Sequence, residues 1–497
     1  MKFLLAIDQG TSSCRSLLFD EHGHITSLSQ KEFKQIYPQP GWVEHNADEI
    51  WRCQLSTMQD VIQTAGIDAK DIAGIGITNQ RETTVVWDKR TGKPIYNAIV
   101  WQDRRTVDVC QQLMDRGLTD LVKQKTGLVI DPYFSGTKVA WILDRVKGAH
   151  ELACAGHLAF GTIDSWLIWQ LTNGQSHVTD VSNASRTMMF DIQTHQWDDQ
   201  LIECLNVPRG ILPHVLPSCA DFGIADAQWL GHAIPIAGVA GDQQSALFGQ
   251  ACWKSGMAKN TYGTGCFMLM NTGPQLVNSQ NGLIGTHCAQ SDTQSQYALE
   301  GSVFMGGAIV QWLRDGLGMI QSSREVEALA SSVETSDGVV MVPAFTGLGA
   351  PYWQSQARGM ITGMTRGTHR AHIARAALEC IAFQSAALYF AMMKDVAQLG
   401  HIAAQGLRVD GGACINNLLM QMQADVLGLP VIRPSAIETT ALGAAYLAGL
   451  QVGVFGSTDD LSAKWKIERI FEPKISRDQA ISMMSSWEHA VRQAVTL

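Results

Sequence analysis

The stretch that most constrains this chain is an apolar run ending at an acidic residue, followed by a turn of small hydroxyl residues. The run covers residues 4–8, the turn residues 10–13, and a second apolar run residues 16–19. This order predicts strand, turn and strand, whereas Rossmann and P-loop phosphate sites follow a strand with a helix. The turn itself must then hold a phosphate, through backbone N–H groups and hydroxyls. Asp8 suits Mg²⁺ and Arg15 suits a phosphate, although an ordinary hairpin with a polar turn explains the residues equally well.

The composition of the chain limits the number of domains, the partners and the cellular setting that we expect. A chain of 497 residues with 46% hydrophobic and 17% charged residues predicts at least two globular domains. A net charge of −9 argues against nucleic acid or an anionic membrane as the main partner. The eleven cysteines form no CxxC pair, so neither a zinc site nor a disulfide framework is indicated, and a reducing cytoplasm is the simplest setting. We expect no transmembrane segment.

The second half of the chain repeats the opening pattern. Residues 256–261 lead to the turn 263–265, and the apolar run 267–270 follows. Two such hairpins, each leading about half of the chain, predict a duplicated fold with a nucleotide between the halves. We therefore expect an N-terminal domain over 1–250 and a C-terminal domain over 251–497.

Polar residues follow two predicted buried strands, 72–78 and 234–240. Arg81-Glu82 follows the first strand, and the residues alone favour a surface turn over a site for a polyhydroxy ligand. Asp242 follows the second, where it suits either a general base or a helix N-cap, and both roles are compatible. Trp101, at the end of a predicted strand over 95–101, suits either a ligand's carbon skeleton or the core.

Motifs of other nucleotide enzymes are missing from the sequence. Gly74 and Gly76 form a GxG, but the third glycine of the dinucleotide fingerprint is absent, and the sequence contains no P-loop, HExxH or GxSxG motif. After the predicted strand 407–410, two glycines let a flat base lie against the backbone, and Asn416 offers a donor and an acceptor. We expect a close-packed structural helix over 439–449.

Together the motifs resemble the FGGY carbohydrate kinases of the actin, Hsp70 and hexokinase superfamily, in particular the members that act on glycerol. The resemblance implies an α/β fold with two ribonuclease-H-like domains, of the actin-like ATPase type, flanking a nucleotide and substrate cleft. It also implies ATP-dependent phosphorylation of glycerol to sn-glycerol 3-phosphate, with Mg²⁺ as cofactor. The most specific motifs are the stretches 78–83, 99–102, 131–138, 241–244 and 260–267.

Residue roles follow from the resemblance alone. It implies a cytoplasmic homodimer or homotetramer with glycerol and ATP as partners, without nucleic acid or membrane insertion. Asp242 is implied as the general base and Asp8 as the residue that organises Mg²⁺. The implied glycerol-binding residues are Arg81, Glu82, Trp101, Tyr133, Asp242, Gln243 and Phe267. The implied ATP-binding residues are Thr11, Ser12, Ser13, Arg15, Thr264, Gly307, Gln311, Gly412 and Asn416.

Departures from the family pattern leave some questions open. Ser12 and Cys14 stand where the family usually has Thr and Ser, and Cys14 is the weaker hydrogen-bond donor. Many bacterial members carry a glycine-rich loop with an arginine for fructose 1,6-bisphosphate, but residues 227–234 contain one glycine and no arginine. We therefore predict weak or absent inhibition by this sugar phosphate. The alternatives are an FGGY kinase for xylulose or gluconate and, in another class, an actin-like or chaperone ATPase.

Overall fold

The computed structural model describes residues 2–291, 294–354, 356–400 and 405–496. The chain forms two compact units. Unit 1 consists of Met1–Ala251, Gly285–Tyr297 and Thr439–Lys464, and unit 2 consists of Cys252–Ile284, Ala298–Glu438 and Trp465–Leu497. Two segments that follow residue 251 in sequence therefore belong to unit 1.

A mixed sheet forms the centre of unit 1. Its first two strands, Phe3–Gln9 and Ser13–Asp20, are antiparallel, and the first also pairs in parallel with Ile72–Asn79. That strand pairs in parallel with Ile234–Gly241, so the carboxyl ends of three strands meet at one edge. Side chains on these strands are buried on both faces, as their continuous apolar runs predict. The full strand order is Ile224–Ala225, Ile234–Gly241, Ile72–Asn79, Phe3–Gln9, Ser13–Asp20 and Ile25–Glu32.

The other elements of unit 1 surround this sheet. Its helices are Ala47–Ala65, Val107–Asp115, Thr119–Thr126, Ser135–Arg145, Ala149–Cys154, Ile163–Leu171, Val181–Ala184, Asp199–Cys204, Ala227–Leu230, Asp242–Gly249, Thr439–Gln451 and Thr458–Lys464, with 3₁₀ turns at Ala69–Asp71 and Arg209–Ile211. Its shorter strands are Glu44–His45, Val85–Asp88, Lys93–Pro94, Ala98–Ile99, Leu158–Gly161, Val178–Asp180, Phe190–Asp191, Gln196–Trp197 and His214–Leu216.

Small residues let the helix Thr439–Gln451 lie directly on the sheet of unit 1. A Cβ atom at Gly76 would overlap the backbone of Ala444, and one at Gly238 would come within 2.8 Å of the Leu447 Cβ. Gly443 makes a similarly close approach to the backbone of Ser245. The helix is thus close-packed and structural, as the sequence predicts, and this packing accounts for Gly76 in the incomplete GxG.

The sheet of unit 2 repeats the central strand order of unit 1. Ala258–Tyr262 pairs antiparallel with Cys266–Gly273 and parallel with Leu407–Asp410, which pairs in parallel with Val431–Pro434. With the extra strands Ile224–Ala225 and Ile284–His287 left out and the others numbered in chain order, both sheets contain the strand order 3-2-1-4-5. This duplicated arrangement confirms the predicted fold class. Within unit 2 the strand order is Tyr297–Val303, Cys266–Gly273, Ala258–Tyr262, Leu407–Asp410, Val431–Pro434 and Ile467–Phe471. The strand Ile284–His287 lies, apart from Ile284, in a segment that belongs to unit 1.

A long helix, Arg370–Val396, forms much of the core of unit 2. Within the described residues it is the one helix apolar and long enough to cross a membrane, but 83% of its most apolar window is buried inside the protein. It therefore gives no evidence for a membrane span. The remaining elements of unit 2 are the helices Ala308–Asp315, Glu325–Ser331, Asn417–Leu427 and Arg477–Thr496, the strands Val340–Val342 and Met360–Thr362, and the 3₁₀ turns Ala397–Leu399 and Gly412–Ile415.

Two local predictions differ from the structure. The strand predicted over residues 95–101 is reduced to Ala98–Ile99, because only this short stretch pairs with a neighbouring strand, Glu44–His45. The stretch 131–138 predicts a loop that leads into a helix from Val139, whereas the helix begins at Ser135. Its first turn therefore includes the Ser135 and Lys138 side chains, which lie in the site described next.

Candidate active site

The first hairpin presents a polar turn at the carboxyl end of its first strand. The Gly10 N–H donates to the Ser13 carbonyl at 2.9 Å, which closes the turn. The Ser12 side chain is exposed, and Thr11 and Ser13 are half-buried, so hydroxyls of the turn are accessible. Asp8 and Arg15 are cross-strand neighbours, and their side chains form an ion pair. The sequence-predicted phosphate and metal residues are thus brought together in one turn.

A buried hydrogen-bond network holds this turn from behind. The Gln80 Nε2 donates to the Gln9 Oε1 at 3.1 Å and to the Gly10 carbonyl at 3.2 Å. His45 Nε2 lies 2.7 Å from the Gln35 Oε1, and the Gln35 amide donates to the Thr11 carbonyl at 3.2 Å. Burial lowers the pKa of His45 to about 4, so its ring is neutral at physiological pH. The turn is therefore fixed by side chains that the sequence did not identify.

The turn that carries Arg81 and Glu82 is buried, so the surface turn that the residues alone favoured is wrong. Arg81 is 3% and Glu82 is 1% exposed. Glu82 has a φ of 60°, a left-handed conformation that a non-glycine residue adopts only when its surroundings hold it there. Its carbonyl accepts hydrogen bonds from the Thr84 hydroxyl at 3.1 Å and the Ser135 hydroxyl at 3.0 Å.

Opposite charges surround the Glu82 carboxylate. Arg186, which is fully buried, donates from Nε to the Glu82 Oε1 at 2.6 Å. The Arg81 Nε lies 3.9 Å from the same oxygen and 3.1 Å from the Asp242 Oδ1. Buried charges of this kind are stable only when paired, and here the pairs fix the direction of each side chain. Arg81, Glu82 and Asp242 therefore form one cluster, extended by Arg186.

Lys138 links the turn of Glu82, which belongs to this cluster, to the loop that carries Tyr133. Its ammonium group is completely buried and donates to the backbone carbonyls of Tyr133 at 2.5 Å and of Glu82 at 3.3 Å. Burial lowers the pKa of Lys138 to about 8. The side chain thus ties the loop of Tyr133 to the turn of Glu82, and neither residue can shift without breaking a buried hydrogen bond.

Asp242 is the most accessible carboxylate of the cluster. It is the first residue of the helix Asp242–Gly249, and its side chain is 33% exposed. Its Oδ1 accepts from the Gln243 N–H at 2.7 Å, while Gly241 takes the N-cap position. A Cβ at Gly241 would come within 2.6 Å of the Arg81 side chain, so glycine is needed for Arg81 to reach Asp242.

Trp101 and Tyr133 form an aromatic wall beside the first hairpin. Both are half-buried, and their rings meet edge to face with centroids 5.7 Å apart. The Trp101 indole donates to the Thr11 hydroxyl at 2.9 Å, which links this wall to the turn of the first hairpin. The Arg186 guanidinium lies 5.6 Å from the centre of the Tyr133 ring. Trp101 is therefore half-buried and held in place by its contacts with Tyr133 and Thr11.

The remaining predicted glycerol residues are divided between the units. Gln243 is 7% exposed and lies beside Asp242 in unit 1. Phe267 is half-buried and lies in unit 2, on the strand Cys266–Gly273 opposite Thr261.

The second hairpin, in unit 2, presents Thr264 at its tip. Thr264 is exposed, and its carbonyl accepts from the N–H groups of Gly306 at 2.9 Å and Ala308 at 3.0 Å. The Gly307 N–H donates to the Gly263 carbonyl at 2.8 Å. The amino end of the helix Ala308–Asp315 therefore lies directly against the hairpin turn, with Gln311 on its exposed side.

Gly412 and Asn416 follow the strand Leu407–Asp410, which pairs in parallel with the first strand of this hairpin. Gly412 is exposed, and a Cβ placed there would meet no atom within 4 Å, so the backbone is open on that side. Asn416 caps the helix Asn417–Leu427, and its side-chain oxygen accepts from the Leu419 N–H at 2.9 Å. The acceptor of Asn416 is thus used within the protein, which leaves its amide N–H groups as the donors for a ligand.

The donor set fits the Mg²⁺ that the family resemblance implies. Across the described part of the chain, no group of three or more His, Cys, Asp or Glu side chains is placed to chelate a metal ion. Asp8 offers a carboxylate at a strand end, beside the phosphate turn. Mg²⁺ in kinases is usually held by one or two carboxylates, with phosphate oxygens and water completing its octahedral shell, so Asp8 suffices on the protein side.

Fold and site together match one family, the FGGY carbohydrate kinases. Its N-terminal domain model matches residues 3–249 and its C-terminal domain model matches residues 258–452. The chain therefore belongs to the FGGY family of carbohydrate kinases, and it is a phosphotransferase. Within this family, the glycerol kinase of Acidovorax ebreus is 63% identical over 495 residues, which cover 100% of this chain and 99% of that protein. The glycerol kinase of Polaromonas sp. is also 63% identical, with 100% of both chains covered.

Solved structures agree with this assignment. The crystal structure of Plasmodium falciparum glycerol kinase with ADP has a TM-score of 0.93 and 37% identity, covering 99% of this chain and 98% of that one. A xylulose kinase from Lactobacillus acidophilus has a TM-score of 0.88 at 21% identity, covering 100% and 99%, which shows a shared fold alone.

The sequence did not identify Arg186, Lys138, His45 or Gln80 as site residues. Lys138 closes the stretch 131–138 that carries the family resemblance, so its position was a usable signal. Arg186 contacts Glu82 across 104 residues of sequence, and no local pattern marks such a pair.

Proposed function

We propose that this chain transfers the γ-phosphoryl group of ATP to a terminal hydroxyl of glycerol, giving ADP and sn-glycerol 3-phosphate. The cluster of the buried Arg81 and Glu82 with the accessible Asp242 is the observation that carries the proposal. Hydroxyl groups of a polyol both donate and accept, so they need rigid donors and acceptors side by side. Arg81 supplies donors, and Glu82 and Asp242 supply acceptors, at 3.9 Å and 3.1 Å from the Arg81 Nε. The full-length likeness to glycerol kinases supports the same substrate.

The aromatic wall explains how a three-carbon chain would be held. Trp101 and Tyr133 meet edge to face and present apolar surface next to the charged cluster. A glycerol with its hydroxyls toward the cluster would place its carbon atoms against these rings. We assign Phe267 and Gln243 to the same substrate.

The proton and the phosphoryl group move in opposite directions in this mechanism. The Asp242 carboxylate accepts the proton of the terminal hydroxyl, and the hydroxyl oxygen forms the new bond to the γ-phosphorus in line with the departing β-phosphate oxygen. Arg81 holds Asp242 in position, because its Nε lies 3.1 Å from the Asp242 Oδ1. Positioning of this kind is the main contribution that a protein makes to phosphoryl transfer.

The phosphates are assigned to the two hairpin turns. Thr11, Ser12, Ser13 and Arg15 offer donors in unit 1, and Thr264 offers a hydroxyl in unit 2. When bound at Asp8, Mg²⁺ neutralises charge that develops on the phosphate oxygens. Arg15 forms an ion pair with Asp8 here, so each side chain is positioned by the other before a ligand enters.

The adenosine site is assigned to unit 2. The open backbone at Gly412 accepts a flat base, and the amide of Asn416 donates to it. Gly307 and Gln311 complete the set at the amino end of their helix. Apart from Phe267, the glycerol site and the first phosphate loop thus belong to residues 1–250, and the second phosphate loop and adenosine site to residues 251–497.

A steady-state assay of ADP release with a panel of polyols tests the proposal. We expect glycerol to give the highest kcat/KM, dihydroxyacetone a lower value, and xylulose and gluconate values lower by several orders of magnitude. The control without polyol should release ADP at a negligible rate. Rapid ADP release in that control would favour the actin-like ATPase, and a preference for a pentulose or gluconate would favour the other FGGY kinases.

We also propose that the protein acts in the cytoplasm as a homodimer or homotetramer. The burial of the long apolar helix Arg370–Val396 agrees with this setting. Sedimentation equilibrium of the purified protein gives the oligomeric state directly, and a monomer at micromolar concentration would contradict it.

A further inference from the structure

Two cysteines face each other directly behind the first phosphate turn. Cys14 lies on the strand Ser13–Asp20, and Cys53 lies on the helix Ala47–Ala65. Cys14 pairs across the sheet with Lys31, and the Cys53 thiol donates to the Lys31 carbonyl at 3.5 Å. The Cys14 thiol donates to the Ile50 carbonyl at 3.7 Å, one helical turn before Cys53. The two side chains therefore enter the same space between strand and helix, where Cys53 packs against the apolar core that contains Cys14.

The two thiols differ in accessibility. Cys14 is completely buried, whereas Cys53 is half-buried and reachable by a small solute. The interaction with Cys14 is the largest cause that lowers the pKa of Cys53 to about 7, and the charge of Lys31 adds to it while that of Glu49 opposes it. The same interaction, together with burial, raises the pKa of Cys14. One thiol is thus partly accessible and reactive, and the other is protected beside it.

We propose that Cys53 and Cys14 are a site of covalent modification, at which hydrogen peroxide converts the two thiols into a disulfide that joins the helix to the phosphate hairpin. No part of this inference depends on which polyol the enzyme phosphorylates. It assigns a role to Cys14, which departs from the serine usual in the family.

The chemistry proceeds in two balanced steps. The Cys53 thiolate attacks one peroxide oxygen, the O–O bond breaks, and Cys53 becomes a sulfenic acid while hydroxide leaves and takes up a proton as water. The Cys14 sulfur then attacks the Cys53 sulfur, the S–O bond breaks, and a second water leaves with the Cys14 proton. Peroxide is reduced by two electrons, and the two thiols are oxidised by two. A disulfide needs Cβ atoms about 3.5–4.5 Å apart. The backbone positions of the strand and the helix set that separation, and rotation about χ1 brings the two Sγ atoms to bonding distance.

Peptide mapping under non-reducing conditions tests the proposal. Trypsin cleavage after Lys2, Arg15, Arg52 and Lys70 would place the two thiols in peptides 3–15 and 53–70, each with a single cysteine. After peroxide treatment of the full-length protein, we expect these peptides linked to each other, with a combined mass two hydrogen atoms lower, and released by dithiothreitol. The linked peptides should be absent from Cys53→Ser and retained in Cys154→Ser, which removes an exposed thiol elsewhere.

Cys14→Ser isolates the first step. Without its partner, oxidised Cys53 should be trapped as a dimedone adduct, in greater yield than in the wild-type protein. Peroxide oxidation that leaves peptides 3–15 and 53–70 unlinked, or that links either to another cysteine peptide instead, would overturn the proposal. Equal dimedone labelling of Cys53 in the presence and absence of Cys14 would also contradict it.

The disulfide has a consequence that rests on the proposed function. Cys14 lies between Ser13 and Arg15, so a covalent link at this position constrains the turn assigned to the phosphates. We expect oxidation to change the KM for ATP at least threefold in the wild-type protein and not in Cys53→Ser, with the KM for glycerol unchanged in both. An unchanged KM for ATP in fully linked protein would refute this consequence while leaving the modification site established by the peptide map.

Discussion

Replacing Arg186 by methionine removes the cation that lies against the Glu82 carboxylate while keeping a side chain of similar length. The pair has an Nε–Oε1 distance of 2.6 Å, and its side chains are 0% and 2% exposed. Breaking a buried ion pair by removing one partner costs about 3–5 kcal/mol, because the remaining charge is left without compensation. Here the Arg81 Nε remains 3.9 Å from the same oxygen, so we expect about 3 kcal/mol.

Two effects should follow from this change. The free energy of unfolding should fall by about 3 kcal/mol, a large fraction of the roughly 5–15 kcal/mol typical of proteins. The Glu82 carboxylate should turn toward Arg81 and leave the direction in which it meets a substrate hydroxyl. We therefore expect the KM for glycerol to rise about tenfold or more, since about 1.4 kcal/mol of lost binding suffices for that.

Urea unfolding and steady-state kinetics measure the two effects. Arg90→Met is the matched control, because Arg90 pairs with Asp88 with its side chain 52% exposed, and its loss should cost less than about 1 kcal/mol. In the double variant with Glu82→Gln, the orphan charge is gone, so the destabilisation should be smaller than the sum of the single changes by about 1–3 kcal/mol. An Arg186→Met protein as stable as Arg90→Met, with an unchanged KM for glycerol, would refute this account of the cluster.

Two further variants test the hydrogen bonds of Lys138 and the buried carboxyl group of Asp164. Lys138→Met removes the donor shared by the Glu82 and Tyr133 carbonyls, so we expect a rise in the KM for glycerol of about tenfold, with a smaller change in the KM for ATP; equal rises in both would contradict it. Burial and the nearby Asp180 charge raise the pKa of Asp164 from 3.8 to about 7, so the folded protein binds a proton that the unfolded chain has released. Its contribution to stability therefore falls by about 4 kcal/mol as pH rises from 4 to 7. Asp164→Asn should gain about that much relative to wild type over this range in urea unfolding, and a difference independent of pH would contradict the assignment.

Local patterns were sufficient to predict the hairpins and the sheets. The apolar runs that flank residues 10–13 and 263–265 form antiparallel strands because a turn of only three or four residues reverses the direction of the chain. Asn416 and Gly428 cap the two ends of the helix Asn417–Leu427, and both are residue types that typically mark such ends in a sequence.

Contacts between distant residues could not be predicted in this way. Arg81-Glu82 is a polar dipeptide between strands, and such pairs are usually exposed turns. It is buried because Arg186 and Asp242, far along the chain, supply opposite charges, and Lys138 binds its backbone. A single sequence carries no signal for such pairings, so resemblance to a family was needed to place these residues in a site.

The path of the chain between the two units also could not be predicted from local patterns. The segments Gly285–Tyr297 and Thr439–Lys464 belong to unit 1, although they follow residue 251. The helix Thr439–Gln451 packs there through glycines whose absent Cβ atoms permit backbone contact. Hydrophobic periodicity predicts such a helix but does not indicate which sheet it covers.

The central claim is that Asp242 accepts the proton from glycerol at the buried cluster. Its most direct test is the kcat for ADP release with glycerol in Asp242→Asn, which keeps the size and the helix position of the side chain. We expect kcat to fall by about two to four orders of magnitude, with the unfolding transition unchanged within about 1 kcal/mol, because the side chain is one-third exposed. A kcat within tenfold of the wild-type value in a folded Asp242→Asn protein would contradict the claim.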